Sequence, residues 1–219
     1  MDNQAIFNQF NLNGGNFDAN QWLTLQFDQQ SNQIIPLSKK GEISSQQLHG
    51  LFDHQGRLLG YYGNVSMTNI KEDEYRPDEK IAEHYTFPML EMDVSQKIRP
   101  THDINYEGTF YYTYKDTPIN RFEGRVAAQY REQDKRLSME LFGEKNEYWE
   151  LKENGRKVGV NVAENGDVVG RIYDKNLPNA TFNGAIYGQD GEVLSGTLEY
   201  DDYTHQQNSW KGVVGAKAK

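Results

Sequence analysis

The stretch Arg121-Phe122-Glu123-Gly124-Arg125-Val126-Ala127-Ala128-Gln129-Tyr130 decides the fold class. Its even positions hold Phe122, Gly124, Val126, Ala128 and Tyr130, and its odd positions are mostly polar. A period of two places one set against a core and the other in water, as in a half-buried strand. Gly124 and Ala128 are small, which suits a crowded barrel interior. On either side of this stretch the pattern repeats. Strands are predicted over Tyr106 to Lys115, Arg121 to Arg131, Lys135 to Leu141, Glu147 to Lys152 and Lys157 to Ala163. Further strands are predicted over Asp167 to Tyr173, Ala180 to Gly188, Glu192 to Tyr200 and Trp210 to Ala216. Turn chemistry separates them: Asp116-Thr117-Pro118, Glu132-Gln133-Asp134, Glu153-Asn154-Gly155, Glu164-Asn165-Gly166 and Gln189-Asp190-Gly191. Short alternating strands at roughly ten-residue spacing form an antiparallel meander. About eight of them close most economically into an up-and-down barrel, because closure removes the edges. No convincing amphipathic helix interrupts this half.

The residues before the meander differ in character. Between Asn3 and Gln33 the chain is crowded with Asn and Gln, broken by Phe7, Phe10, Phe17, Trp22 and Phe27. This reads as irregular or edge structure with aromatic anchors. Gln47 to Gly63 reads as a β-hairpin around Asp53-His54-Gln55-Gly56, and a further strand is expected from Asn64 to Ile70. Lys71 to Lys80, dense in charge and carrying Pro77, is a solvated excursion. Ile81 to Met92 is apolar and aromatic, but Pro88 makes it irregular. Arg99-Pro100-Thr101-His102-Asp103 marks a junction, giving two domains, 1–105 and 106–219.

Composition bounds the function. The chain has 219 residues, 32 acidic against 23 basic side chains, and a formal net charge of −9. Such a surface repels phosphate backbones, which argues against a nucleic-acid partner. The mean hydropathy of −0.87 and the absence of an apolar run of about 18 residues argue against a transmembrane helix. The cysteine count of 0 removes disulfides, thiolate metal sites and a Cys nucleophile. Met1-Asp2-Asn3-Gln4 lacks the basic and apolar regions of a signal peptide, so the chain is expected to be either cytoplasmic or processed. No Gly-rich phosphate loop, G-x-S-x-G or H-E-x-x-H pattern is present, so an enzyme is not expected. Glu144, Glu147, Glu150, Asp201 and Asp202 carry little information in so acidic a chain, and no EF-hand spacing supports Ca²⁺.

The segment Ala180-Thr181-Phe182-Asn183-Gly184-Ala185-Ile186-Tyr187-Gly188-Gln189-Asp190-Gly191-Glu192-Val193-Leu194-Ser195-Gly196-Thr197-Leu198 resembles the barrel hairpin of transferrin-binding protein B. There an F-x-G-x-[FI]-Y-G strand and an acidic turn precede G-G-T-[FL]. Gly212-Val213-Val214-Gly215-Ala216-Lys217 looks like that family's closing strand, and Tyr106-Glu107-Gly108-Thr109-Phe110-Tyr111-Tyr112 like its opening one. Factor H binding protein and other Slam-exported surface proteins share this barrel. The resemblance covers roughly Gln47 to Lys219. A full transferrin-binding protein B has two lobes, each a handle plus a barrel, and this chain has room for one. One handle and one barrel without cysteine is similar to the hemophilins, secreted bacterial hemophores. The resemblance implies a mainly β chain: an N-terminal clamp-like handle, a small sheet with irregular segments, and a C-terminal eight-stranded barrel. It also implies non-covalent haem b held by the handle through histidine, export by a Slam-type protein and delivery to an outer-membrane haem receptor. On this reading the protein is secreted and its signal peptide has been removed.

Haem iron takes His, Met, Tyr or Cys as axial ligand, within an apolar slot that has polar or basic groups at its rim. His84 has the richest apolar neighbourhood in sequence, with Ile81, Tyr85, Phe87, Met89, Leu90 and Met92. His49 lies in a strand among Leu48, Leu51 and Phe52, His54 sits at a hairpin tip, and His102 follows the junction. One or two of these four are the candidate ligands, against ordinary roles as satisfied strand, turn or loop histidines. His205, in a polar loop, is set aside. Tyr61 or Tyr62 could stack on the porphyrin, and Arg57, Arg76 or Arg99 could meet its propionates, although strand packing and a solvated face are the simpler readings. A small barrel is filled by its own side chains, so haem is not placed inside it. Two competing readings are a single-lobe surface protein that binds a host protein, such as transferrin or a complement regulator, and a lipocalin-like barrel with an internal pocket.

Overall fold

The computed structural model describes residues 23–28, 30–115 and 121–219. The chain begins there with a hairpin of β1 (Leu23–Asp28) and β2 (Gln33–Ser38). A three-stranded antiparallel sheet follows, made of β3 (Glu42–Phe52), β4 (Leu58–Glu72) and β5 (Lys80–Met92) in the order β3-β4-β5. After a one-turn 3-10 helix at Val94–Gln96 come β6 (Ile104–Tyr114), β7 (Phe122–Arg131), β8 (Arg136–Phe142), β9 (Tyr148–Lys152) and β10 (Val160–Asn161). β11 (Asp167–Asp174), β12 (Leu177–Tyr187), β13 (Val193–Tyr200) and β14 (Trp210–Ala218) complete the set. No helix among the described residues is long and apolar enough to cross a membrane.

The second group forms a closed barrel. Its order is β8-β7-β6-β14-β13-β12-β11-β9, and β9 pairs back onto β8. Every neighbouring pair is antiparallel. The alternation in Arg121 to Tyr130 holds: Phe122, Gly124, Val126, Ala128 and Tyr130 are buried, and Phe122, Val126, Ala128 and Tyr130 belong to the barrel core. Tyr112, Trp149 and Trp210 crowd one another inside, with ring centroids 5.2 to 5.9 Å apart. Among the described residues this interior is filled by side chains, which counts against a lipocalin-like pocket.

Three details depart from the sequence expectation. Lys157 to Ala163 is a strand only at β10, which pairs with β8 at Leu137 and Arg136. Asn154 and Gly155 adopt positive φ, and Arg156 bridges back to Glu153, so the chain loops out before it rejoins the wall. The eighth stave is therefore β9 with the short β10 following it. Asn64 to Ile70 is not a separate strand but the continuation of β4, and Gly63 carries the chain through at φ 145. A Cβ there would lie 1.8 Å from the Gln47 carbonyl oxygen, so only glycine fits. Finally, Pro88 does not break Ile81 to Met92: β5 is continuous, with Pro88 opposite Asn64. It lies at an edge of the sheet, where a proline nitrogen can face away from the ladder.

The N-terminal tract of Asn and Gln falls mostly outside the described residues, including Phe7, Phe10, Phe17 and Trp22. Of the irregular or edge structure expected there, Leu23 to Asp28 is an edge strand, paired with β2 alone. Leu23, Leu25 and Ile34 of this hairpin pack on Tyr61, Val65, Met67, Phe87 and Met89 of the small sheet. The opposite face of that sheet sends Leu51, Leu59, Tyr62, Leu90 and Met92 against Tyr111, Ala185, Tyr187, Val193 and Val213 on the outer wall of the barrel. The architecture is thus three-layered: hairpin, sheet, barrel wall. Each fully buried apolar side chain at these two seams is worth about 1.5–3 kcal/mol.

Candidate functional site

The barrel-facing side of the small sheet grades from apolar to polar along its length. Leu51, Tyr62, Leu90 and Met92 lie at the apolar end and dock on the barrel. Ser45, Ser66, His84 and Thr86 lie toward the other end. A cleft opens on each flank of the docked region, and each contains one predicted histidine.

The first cleft has a volume of about 660 Å³ and lies where β3 passes over β6 and β14. Ile34, Leu48, Leu51, Phe52 and Tyr62 give it apolar walls, Gly108 and Gly215 line it at the barrel, and Lys217 contributes a cation. The Lys217 ammonium stands 5.6 Å from the centre of the Phe52 ring. His49 reaches this cleft from β3 because β3 alternates and Leu51, two residues on, faces the barrel. It is exposed along the cleft yet backed by aromatic rings: it stacks on Tyr111 at 5.7 Å and 6°, and lies 5.5 Å from Tyr62. Its Nε2 shares a 2.7 Å hydrogen bond with the Tyr111 hydroxyl. Nδ1 makes no hydrogen bond to a described residue.

Desolvation lowers the His49 pKa, Glu123 opposes this, and Lys217 reinforces it. The imidazole is therefore neutral at pH 7, the form that ligates metals. Burial pushes the Tyr111 phenol up to about 12, so it stays protonated as a hydrogen-bonding partner. Tyr62 donates to or accepts from Thr109 Oγ1 at 2.7 Å and is likewise raised, chiefly by burial.

The second cleft, about 380 Å³, holds His84. Of the apolar wall expected around His84 only Tyr85 lines its cleft, because an extended strand sends its neighbours to both faces. Phe87 and Met89 enter the core beneath the β1–β2 hairpin, and Leu90 and Met92 enter the barrel seam. His84 is exposed, with Nδ1 3.0 Å from Thr68 Oγ1. His49 pairs with Tyr62 and His84 with Thr68 across β4, so about 20 Å of strand separates them.

His54 is exposed at the tip of the β3–β4 hairpin, as predicted, and its backbone N–H donates to the buried carboxylate of Glu192 at 3.4 Å. His102 is exposed at the junction, where Pro100 accepts a 3.0 Å hydrogen bond from Tyr130. Among the described residues no two of the four histidines come together, and no group of three or more His, Cys, Asp or Glu residues could hold a metal ion. Tyr61 and Tyr62 point to opposite faces, which leaves Tyr62 at the His49 cleft. Arg57 is tied to Asp53 at 2.7 Å and Arg76 to Glu79 at 3.1 Å. Sequence reasoning missed Tyr111 and Lys217. Both lie in barrel strands, and only the docking of the sheet on the barrel brings them to His49.

Fold and clefts together define a lobe made of one small-sheet handle seated on one filled barrel. No family model matches the chain. Outer membrane lipoprotein A of Actinobacillus pleuropneumoniae is 38% identical over 193 residues, 80% of this chain and 50% of that protein. The chain thus spans half the length of that relative. Among solved structures, HpuA from Kingella denitrificans, determined in complex with human haemoglobin, has a TM-score of 0.49 at 8% identity, covering 90% of this chain and 82% of that one. Transferrin binding protein B from serogroup B Neisseria meningitidis has a TM-score of 0.46 at 12% identity, covering 85% and 38%.

Proposed function

We propose that this chain is a surface-displayed capture lobe for haem, in which residues 1–105 form the handle that takes the ligand and residues 106–219 the barrel that carries it. The observation behind the reading is His49: a neutral imidazole backed by aromatic rings in a cleft of mixed polarity, oriented by a phenol and accompanied by a lysine. These groups fit a non-covalent haem b. His49 Nδ1 would serve as axial ligand while Nε2–H donates to Tyr111, the kind of outer partner that orients metal-bound histidines. Phe52 and Tyr62 would flank the macrocycle, and Lys217 would meet a propionate. His49 and His84 are too far apart to act on one haem together, so on this reading His49 would act without His84. His54 and His102 are bystanders on this reading.

Similarity to an outer-membrane lipoprotein supports a bacterial surface or extracellular location. A Slam-type export protein and an outer-membrane haem receptor are the partners that the family resemblance adds. The test is a haemin titration followed by absorption. A saturable Soret band at one haem per chain, lost in His49→Ala and unchanged in His54→Ala, His84→Ala and His102→Ala, is the expected result. A saturable band that survives His49→Ala overturns the assignment of the ligand, and a non-saturating spectrum overturns haem capture.

A second reading is capture of a host protein such as transferrin, haemoglobin or a complement regulator. It draws on the β4–β5 hairpin, where Tyr75 is 92% and Ile70 63% exposed. Exposed aromatic and aliphatic side chains on a protruding loop suit a protein interface. Loss of serum-protein capture in Tyr75→Ser, with haemin binding intact, would establish that reading beside the first.

A further inference from the structure

We propose that the cleft beside His84 is a second, separate binding site, for an anionic sugar. It lies between the polar end of the handle sheet and the start of β7, and its chemistry differs from that of the His49 cleft. Ser45, Ser66, His84, Thr86 and Arg121 converge on it, and Met67, Tyr85 and Phe122 give it an apolar side. Every polar side chain in that group can donate a hydrogen bond, and none is a carboxylate. In a chain with 32 acidic residues, a cleft lined by hydroxyls, an imidazole and a guanidinium is a local reversal of sign.

The nearby carboxylates are engaged elsewhere. Glu83 pairs with Lys71 and accepts from Tyr85, and Glu123 accepts from Gln47 at 3.2 Å. Arg121 is exposed and makes no ion pair with a described residue. A guanidinium in that state matches a carboxylate or phosphate with its fork of donors.

A second observation points the same way. Ser45 lines the cleft, and its Oγ, tucked beneath the surface, has no hydrogen-bond partner, so a rotation of the hydroxyl side chain would bring it to the cleft. Buried polar groups are nearly always paired, so a hydroxyl left unpaired at the edge of a cleft is available to a ligand once its side chain turns. Ser66 Oγ and Thr86 Oγ1 stand 3.1 Å apart and His84 Nδ1 is held by Thr68, which fixes these donors in place. The cleft volume of about 380 Å³ is at the small end for an organic ligand. Arg121 supplies the anion contact and the hydroxyl wall suits a polyol. The chemistry shared by a sialic or uronic acid and by a sugar phosphate is an oxyanion on a polyhydroxylated ring, and this is the class assigned.

The test is calorimetric and NMR titration of the full chain with N-acetylneuraminic acid, glucuronic acid, glucose 6-phosphate, inorganic phosphate and glucose. The expected result is saturable binding of at least one anionic sugar, tighter than phosphate or glucose, with shifts confined to the cleft. Arg121→Ala should weaken it at least about tenfold, the value of a charge-assisted bidentate contact. Arg121 is exposed, so its removal leaves the fold intact, and Lys217→Ala in the other cleft should change nothing. Binding by carboxylated sugars only or by glucose 6-phosphate only would separate the two sources. No saturable binding by any probe, equal binding of glucose or phosphate, or unchanged affinity in Arg121→Ala would overturn the proposal.

Discussion

Replacing Gly215 by alanine should destabilise the protein, which reverses the usual sign for a strand glycine. Elsewhere in a strand interior, alanine is favoured over glycine by roughly 0.5–1 kcal/mol. Gly215 lies on β14 facing the handle, and the Tyr62 ring lies directly over it. A Cβ at this position would sit 2.3 Å from Tyr62 Cε1 and 2.4 Å from Cδ1, more than 1 Å closer than ordinary contact. The ring cannot retreat freely, because its hydroxyl is held by Thr109 at 2.7 Å and the residue is buried at 7% exposure. Overpacking of this kind costs about 1–3 kcal/mol. For a chain of this size each kcal/mol lowers the melting temperature by about 2–4 °C, so the fall should be roughly 2–12 °C. The assay is urea unfolding followed by circular dichroism, in the natural protein and in a Tyr62→Ala background. With the ring gone, the contacts nearest to the added methyl go with it and its cost should shrink to within about 0.5 kcal/mol of zero. Equal costs in the two backgrounds would refute the idea that this ring seats the handle on that glycine.

Two pH effects follow from the same seam and the hairpin above it. The folded-state pKa of His49 lies below its ordinary value of 6.5, so the unfolded chain binds the proton more readily and stability should decline as pH falls through that value. His49→Gln should remove this part of the pH slope in unfolding experiments, and an unchanged slope would sink the assignment. At Asp53 desolvation works upward, but hydrogen bonds from the Arg57 side chain and backbone and from the Gln55 N–H outweigh it, and the net pKa lies below 3.8. The order it gives the β3–β4 turn is present above pH 3.8 and should be lost as pH falls through the lower folded value. Amide exchange at Gln55 and Arg57 reports it, and Asp53→Asn should show the loosened turn at neutral pH.

Much of the barrel was legible because its strands obey a single rule. Phe122 to Tyr130 alternates cleanly, and turns such as Glu164-Asn165-Gly166 punctuate it. The handle was harder to read because both faces of its sheet are partly covered. Tyr61 and Tyr62 are both buried, as are Met89 and Leu90, so the apolar run conceals which face each serves. Pro88 reads as a break unless the strand is known to lie at an edge, and that depends on strand order rather than on local sequence. The four histidines were visible as candidates, but their surroundings were not. His84 was credited with apolar neighbours that alternation carries away, whereas His49 gains Tyr111 and Lys217 from strands more than 60 and 160 residues further along. Such long-range partners leave no trace in spacing.

β14 has two duties in this architecture. It closes the barrel between β13 and β6, and its outward residues Val213 and Gly215 form part of the seat on which the handle rests. Neither unit can reach its final packing until this last stave has been made. A chain cut before it would have an open sheet edge between β13 and β6 and a handle without part of its seat. One strand thus serves as a shared keystone: a defect in β14 should loosen the barrel wall and unseat the handle together.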